Sequence, residues 1–116
     1  MSCPKFVAQS LAVRTATHIL HLTSTSYAQH MALGDFYEGL VDLVDRYAEI
    51  HMAEAGVVSY PSAVPPRGTP TAVLTDYLEL VREEMADEAT NKTKETILTE
   101  IEELTLRTLY KIKRLG

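Results

Sequence analysis

The chain lacks tryptophan altogether and has a single cysteine, five glycines and five prolines in 116 residues. With only Cys3, no internal disulfide can form, which excludes the small stapled scaffolds of secreted proteins. A reducing, cytoplasmic setting is expected, including the cytoplasm of a virus-infected host cell. No apolar run approaches the ~20 residues that a bilayer span needs. The opening MSCPKFVAQSLAV has no long apolar centre of the kind a secretory leader carries. No stretch alternates polar and apolar residues as a half-buried strand does. Glycine-rich phosphate loops, a nucleophile elbow and paired-cysteine zinc spacings are missing, so the enzyme classes that rely on them drop out. Positive charge is also scarce, because eleven Lys and Arg stand against sixteen Asp and Glu, a net charge of −5. Arg107, Lys111, Lys113 and Arg114 form the one basic cluster, at a helix C-terminus where cations complement the helix dipole. DNA binding is therefore not supported by charge.

What is present is helical periodicity within one domain's length. Four helices are expected, over residues 5–22, 26–55, 70–88 and 94–115. In the first, Val7, Leu11, His18 and Leu22 fall on one face. Thr23, Ser24, Thr25 and Ser26 then break the helix and supply a cap for the next. Tyr37, Leu40, Val41, Val44 and Ala48 make the stripe of the second helix, which Gly56 ends. Residues 56–70, GVVSYPSAVPPRGTP, hold four of the five prolines and read as a long irregular connection. Thr69-Pro70 is a cap followed by a proline at the first helical position. Leu74, Tyr77, Leu78, Val81 and Met85 mark the third helix. After the polar hinge DEATNKT, Ile97, Ile101, Leu104, Thr108 and Leu115 mark the fourth, with Leu98, Leu109 and Ile112 widening its stripe. The expected fold class is all-α, a four-helix bundle with one long Pro-rich connection between the second and third helices.

Polar residues on the second helix raise the functional question. With about 100° per residue, His30 lies on the apolar face, and Glu38, Asp42, Asp45 and Glu49 form an acidic row on its shoulder. Four carboxylates at that spacing repel one another, and cations, solvent or a bound metal must compensate. His21 and His30 flank the short turn and can approach each other. Asp45 is ~22 Å of helix rise from His30, so the histidines and the Asp45/Glu49 pair share a site only if a second copy of the chain packs antiparallel. Tyr27, Tyr37 and Tyr47 lie on the same helix and are read as core or interface packing.

The segment QHMALGDFYEGLVDLVDRYAE, with its preceding histidines, resembles the second-helix signature of the Dps-type branch of the ferritin-like proteins. The run from His21 to Leu33 is closest to small bacteriophage-encoded members. The resemblance implies a ferritin-like bundle and a homodimer or larger homo-oligomer. It also implies an iron site across a subunit two-fold, with His21 or His18, His30, Asp45 and Glu49 as metal ligands. Gly34 stands where such proteins carry an acidic residue, and Glu38 is the candidate replacement. The family's bridging tryptophan and basic N-terminal tail have no counterpart, and the chain is shorter than cage-forming members. The function implied is iron binding, with ferroxidase activity towards oxygen or peroxide. The alternative from a different class is a non-enzymatic, virus-encoded helical protein that binds a host or virion protein through its acidic surface.

Overall fold

A computed structural model describes residues 2–115, and these form four helices: α1 Cys3–Thr23, α2 Tyr27–Ala55, α3 Pro70–Met85 and α4 Lys92–Arg114. Three helix starts are fixed by side-chain caps. Ser26 Oγ accepts from the Gln29 N–H, Thr69 Oγ1 from Ala72 and Asn91 Oδ1 from Lys94. Gly56, at φ 84°, ends α2 in a conformation that favours glycine.

α1 packs on α2 and α3, and α4 packs on the same two helices from the opposite side. Short turns make α1/α2 and α3/α4 antiparallel hairpins. The connection over residues 56–69 runs back along α1, since Tyr60 lies by Leu11 and Pro65–Gly68 lie by Ile19 and Leu20. α3 therefore starts near the end of α1, and the four helices close as a four-helix bundle with one long crossover. This is the connectivity ferritin-like bundles use.

The core is Phe6 and Val13 from α1, Leu33, Phe36, Leu40, Val44 and Tyr47 from α2, with Leu74, Tyr77 and Val81 from α3 and Ile97, Leu98 and Ile101 from α4. The face expected for α1 holds at Val7, which is in the core, and fails at its leucines. Leu11 and Leu22 are exposed, while Ser10 and Thr17 are fully buried. Burial of these hydroxyls is affordable because each is satisfied. Ser10 Oγ accepts from the Tyr77 hydroxyl at 2.8 Å, and Thr17 Oγ1 donates to the Val13 carbonyl at 2.9 Å. Leu115, expected in the α4 stripe, is exposed beyond the helix end.

Candidate functional site

The turn between α1 and α2 is three residues long, and it brings His21 and His30 together. Ser24 Oγ donates to the Ser26 carbonyl at 3.1 Å, and the Ser26 N–H donates back to Ser24 Oγ at 3.3 Å. The two imidazoles stack with ring centroids 3.8 Å apart and planes 19° from parallel. His21 Nδ1 lies 2.6 Å from the His30 carbonyl oxygen, and His30 Nδ1 lies 2.8 Å from the His21 carbonyl oxygen. A carbonyl only accepts, so both rings carry a proton on Nδ1 and donate it. In the neutral ring, Nε2 is then the nitrogen with the free lone pair. This is the arrangement in which a histidine is oriented to bind a metal.

His18 lies one turn back, its ring centroid 6.2 Å from that of His21. It stacks on Tyr37 at 4.1 Å, and the Tyr37 and His21 rings meet edge to face at 5.4 Å. Gly34 sits beneath the pair. A Cβ there would lie 3.0 Å from His21 Cε1 and 3.1 Å from His21 Nδ1. The absence of a side chain at Gly34 thus makes room for the His21 ring.

The carboxylates are elsewhere. Asp45 and Glu49 are exposed and border a cleft of about 350 Å³ with Leu11, Ala48, Met52 and Tyr60. α2 is unbroken from His30 to Asp45, so the separation is ~22 Å along the helix. Glu38 and Asp42 are likewise exposed, and solvent screens the repulsion along the row. Among the described residues, no group of three or more His, Cys, Asp or Glu of one chain is placed to hold a metal ion. One chain assembles the three histidines and leaves Glu38, Asp45 and Glu49 apart from them.

A second polar cluster, at the other end of the bundle, was not singled out by the sequence. Glu84 is 2% exposed on the inner face of α3, and its Oε2 accepts from the Tyr47 hydroxyl at 2.5 Å. Burial pushes the Glu84 carboxyl above the usual range, against the opposing pull of the Tyr47 hydrogen bond. Burial and then the Glu84 bond raise the Tyr47 phenol. Lys94 is also buried, and its Nζ donates to His51 Nδ1 at 2.8 Å and pairs with Glu54 Oε1 at 3.7 Å. Burial and the adjacent ammonium hold His51 below its usual value. Cys3 is pushed up to about 11 by burial, so its thiol stays protonated and unreactive at neutral pH. His51 is half-buried near the end of α2 and holds Lys94. A sequence signal did exist. Glu84 follows Tyr77 by seven and Val81 by three, and Lys94 precedes Ile97 by three and Ile101 by seven, so each sits within an apolar stripe.

The fold and the histidine corner define a four-helix bundle with one long crossover and a candidate ligand pair at the α1–α2 turn. The chain belongs to a family of unknown function, DUF5856, whose match runs over residues 21–112 and so takes in both histidines of the corner, all of α2 and α3 and most of α4. No curated protein and no solved structure matches the chain. No helix of the described residues is long and apolar enough to cross a membrane.

Proposed function

We propose that the protein is a Dps-like, ferritin-like Fe(II)-binding protein whose site is completed by a second copy of the chain. His21 and His30 of one copy supply imidazole nitrogens, and Asp45 and Glu49 of the other supply carboxylates. His18, one turn from His21, and Glu38, between the two halves along α2, are the further candidate ligands. The observation that carries the reading is the pair of Nδ1–H donations to backbone carbonyls, which orients both rings and frees Nε2 on each. Antiparallel pairing of two α2 helices brings the histidine end of one against the carboxylate end of the other. Imidazole and carboxylate together suit iron, and carboxylates offset its charge and favour the ferric state. Iron is then the substrate, oxidised by oxygen or peroxide.

The test is an anaerobic Fe(II) titration followed by air, watched by near-ultraviolet absorbance. Saturable binding and fast oxidation are expected, both lost in an Asp45→Ala/Glu49→Ala variant. Unchanged binding in that variant would sink the two-chain site.

A second reading is favoured by Gly34. The glycine and the reciprocal hydrogen bonds give the histidines a purely structural use, closing the corner between α1 and α2. On that reading the protein is a non-enzymatic helical module that binds a host or virion protein. Its stability would be indifferent to iron, and the titration above would give no response over buffer.

A further inference from the structure

We propose that the end of the bundle formed by the α1–α2 turn, the start of α3 and the end of α4 docks on an anionic lipid surface. The net charge of −5 conceals how the charges are divided. No Asp or Glu occurs in residues 12–34, 61–75 or 104–116, and the fold brings the tips of these segments to one end. Moving inward from that end, Asp76 is the first acidic residue met, ~9 Å of rise inside α3, which is about a Debye length. Arg67, Lys111, Lys113 and Arg114 stand at the same end. Among the described residues none of these four pairs with a carboxylate, whereas Arg46, Arg82, Lys94 and Arg107, nearer the acidic body, each do.

The same end carries apolar side chains that the bundle does not cover. On the described helices and their caps, the most exposed large apolar residues are Tyr27 at 78%, Leu22 at 66% and Leu115 at 60%. Tyr110 and Ile19 follow, and all five lie within two turns of this end. Tyr27 and Leu22 flank the α1–α2 turn, and Leu115 stands just past α4, so they project from helix ends beside the cations. Exposed apolar groups gathered in one place mark a surface that meets something other than water.

Cations beside protruding apolar side chains match an anionic bilayer surface. The ammonium and guanidinium groups meet headgroup charge there, and the apolar side chains enter the acyl boundary. A nucleic acid would use the cations and leave Leu22 and Leu115 in water. A second copy of the chain offers acidic flanks, but the 25 × 19 Å cross-section is small against the ~800 Å² per partner that a standard protein interface buries. The acidic remainder of the bundle is repelled by the same lipids, so the molecule stands end-on, its 43 Å axis pointing away from the surface. This inference does not rest on the iron reading, because no metal and no histidine nitrogen takes part in it.

The experiment is flotation of the full chain, in iron-free buffer with a chelator, on vesicles of phosphatidylserine and phosphatidylcholine in equal parts. Vesicles of phosphatidylcholine alone are the control. Binding to the anionic vesicles only is expected, weakening as salt is added, and at least ~10-fold weaker in Lys111→Gln/Lys113→Gln/Arg114→Gln. A Leu22→Ser/Leu115→Ser variant should lose at least ~10-fold as well. Equal binding to both vesicles, binding to neither, or undiminished binding of either variant would overturn the proposal. So would another occupant: duplex DNA bound while vesicles are not, or self-association that the charge variant abolishes while vesicles stay unbound. Should a variant fail to fold, amide NMR of the unaltered protein on spin-labelled phosphatidylserine decides. Broadening must centre on Leu22, Tyr27 and Leu115, and broadening centred on Asp45 or Glu84 would overturn the docking end.

Discussion

The His21 ring occupies the space that a side chain at Gly34 would need, and that one contact accounts for a buried glycine inside α2. Glycine there costs about 1 kcal/mol against alanine in helix propensity, yet overpacking a fitted site costs about 1–3 kcal/mol. The ring has little room to yield, being held by a 2.6 Å hydrogen bond and stacked on His30. Gly34→Ala should therefore lose about 1 kcal/mol net in urea unfolding. A gain in stability would show that the ring moves aside freely. At the opposite end, half-buried His51 and buried Glu84 respond to pH in opposite directions. His51 is held below its ordinary 6.5, so the folded chain binds fewer protons there than the unfolded chain. Its contribution is complete above that ordinary value and is lost as pH falls through the lowered one, when the Lys94 ammonium would face a second cation. Replacing it by His51→Gln should flatten the stability profile as pH falls below that ordinary value. Glu84 is raised, so its folded form binds more protons, and its penalty appears as pH rises through the shifted range. Glu84→Gln, which keeps an acceptor for Tyr47, should gain on the native protein by about 1 kcal/mol more at pH 8 than at pH 4. Equal gains at both would show that Glu84 is not strained by burial. The approach of His21 to His30 was legible from the short turn between them. The use of Gly34 was not, because contact with a ring nine or more residues away leaves no local pattern.

Among the elements, the helix ends were the most legible. Thr69-Pro70 and Gly56 read from sequence as cap and stop, and both act as such. α3 ends at Met85 instead of near residue 88, since the chain turns there into the Asp87–Thr90 hydrogen bond ahead of the Asn91 cap. The face of α1 misled because its buried side includes Ser10 and Thr17, whose partners are a tyrosine on α3 and a backbone carbonyl. Hydroxyls satisfied by tertiary contacts look like solvent-facing residues in a sequence pattern. Asn91 is the cap whose loss should cost most. Its Oδ1 caps α4, and its Nδ2 donates to both carboxylate oxygens of Glu54, at 3.0 and 2.8 Å. Asn91→Ala should cost about 1–2 kcal/mol, against about 1 kcal/mol for Thr69→Ala, by chemical denaturation. Equal losses would mean that the link to Glu54 adds nothing, as exposed polar contacts often do.

For the molecule as a whole, the extents are 43 × 25 × 19 Å, and the long axis is that of α2 and its neighbours. The two proposed halves of the iron site lie far apart on that axis, so the reading requires self-association. Leu11, exposed beside Asp45 and Glu49, is placed where a second copy would cover it. Sedimentation should show a dimer or larger assembly, and Leu11→Glu should shift it to monomer and abolish Fe(II) binding together. A monomer in both would remove the two-chain site and leave the structural reading of the histidines. The four-helix architecture followed from periodicity, whereas completion of a site by another copy is a property no single chain displays.

The crossover over residues 56–69 is the only covalent link between the α1/α2 hairpin and the α3/α4 hairpin, and nearly all of it is exposed. Each hairpin closes locally, while the seams that join them, such as Ser10 to Tyr77, span 67 residues of chain. A protease cut within the strap would leave both hairpins intact and still buried against each other. Only the tether would be gone, and a tether of this kind supplies an effective concentration on the order of millimolar. Folding of the nicked protein would then depend on its concentration. Dilution alone would take apart what heat or denaturant is needed to undo in the continuous chain.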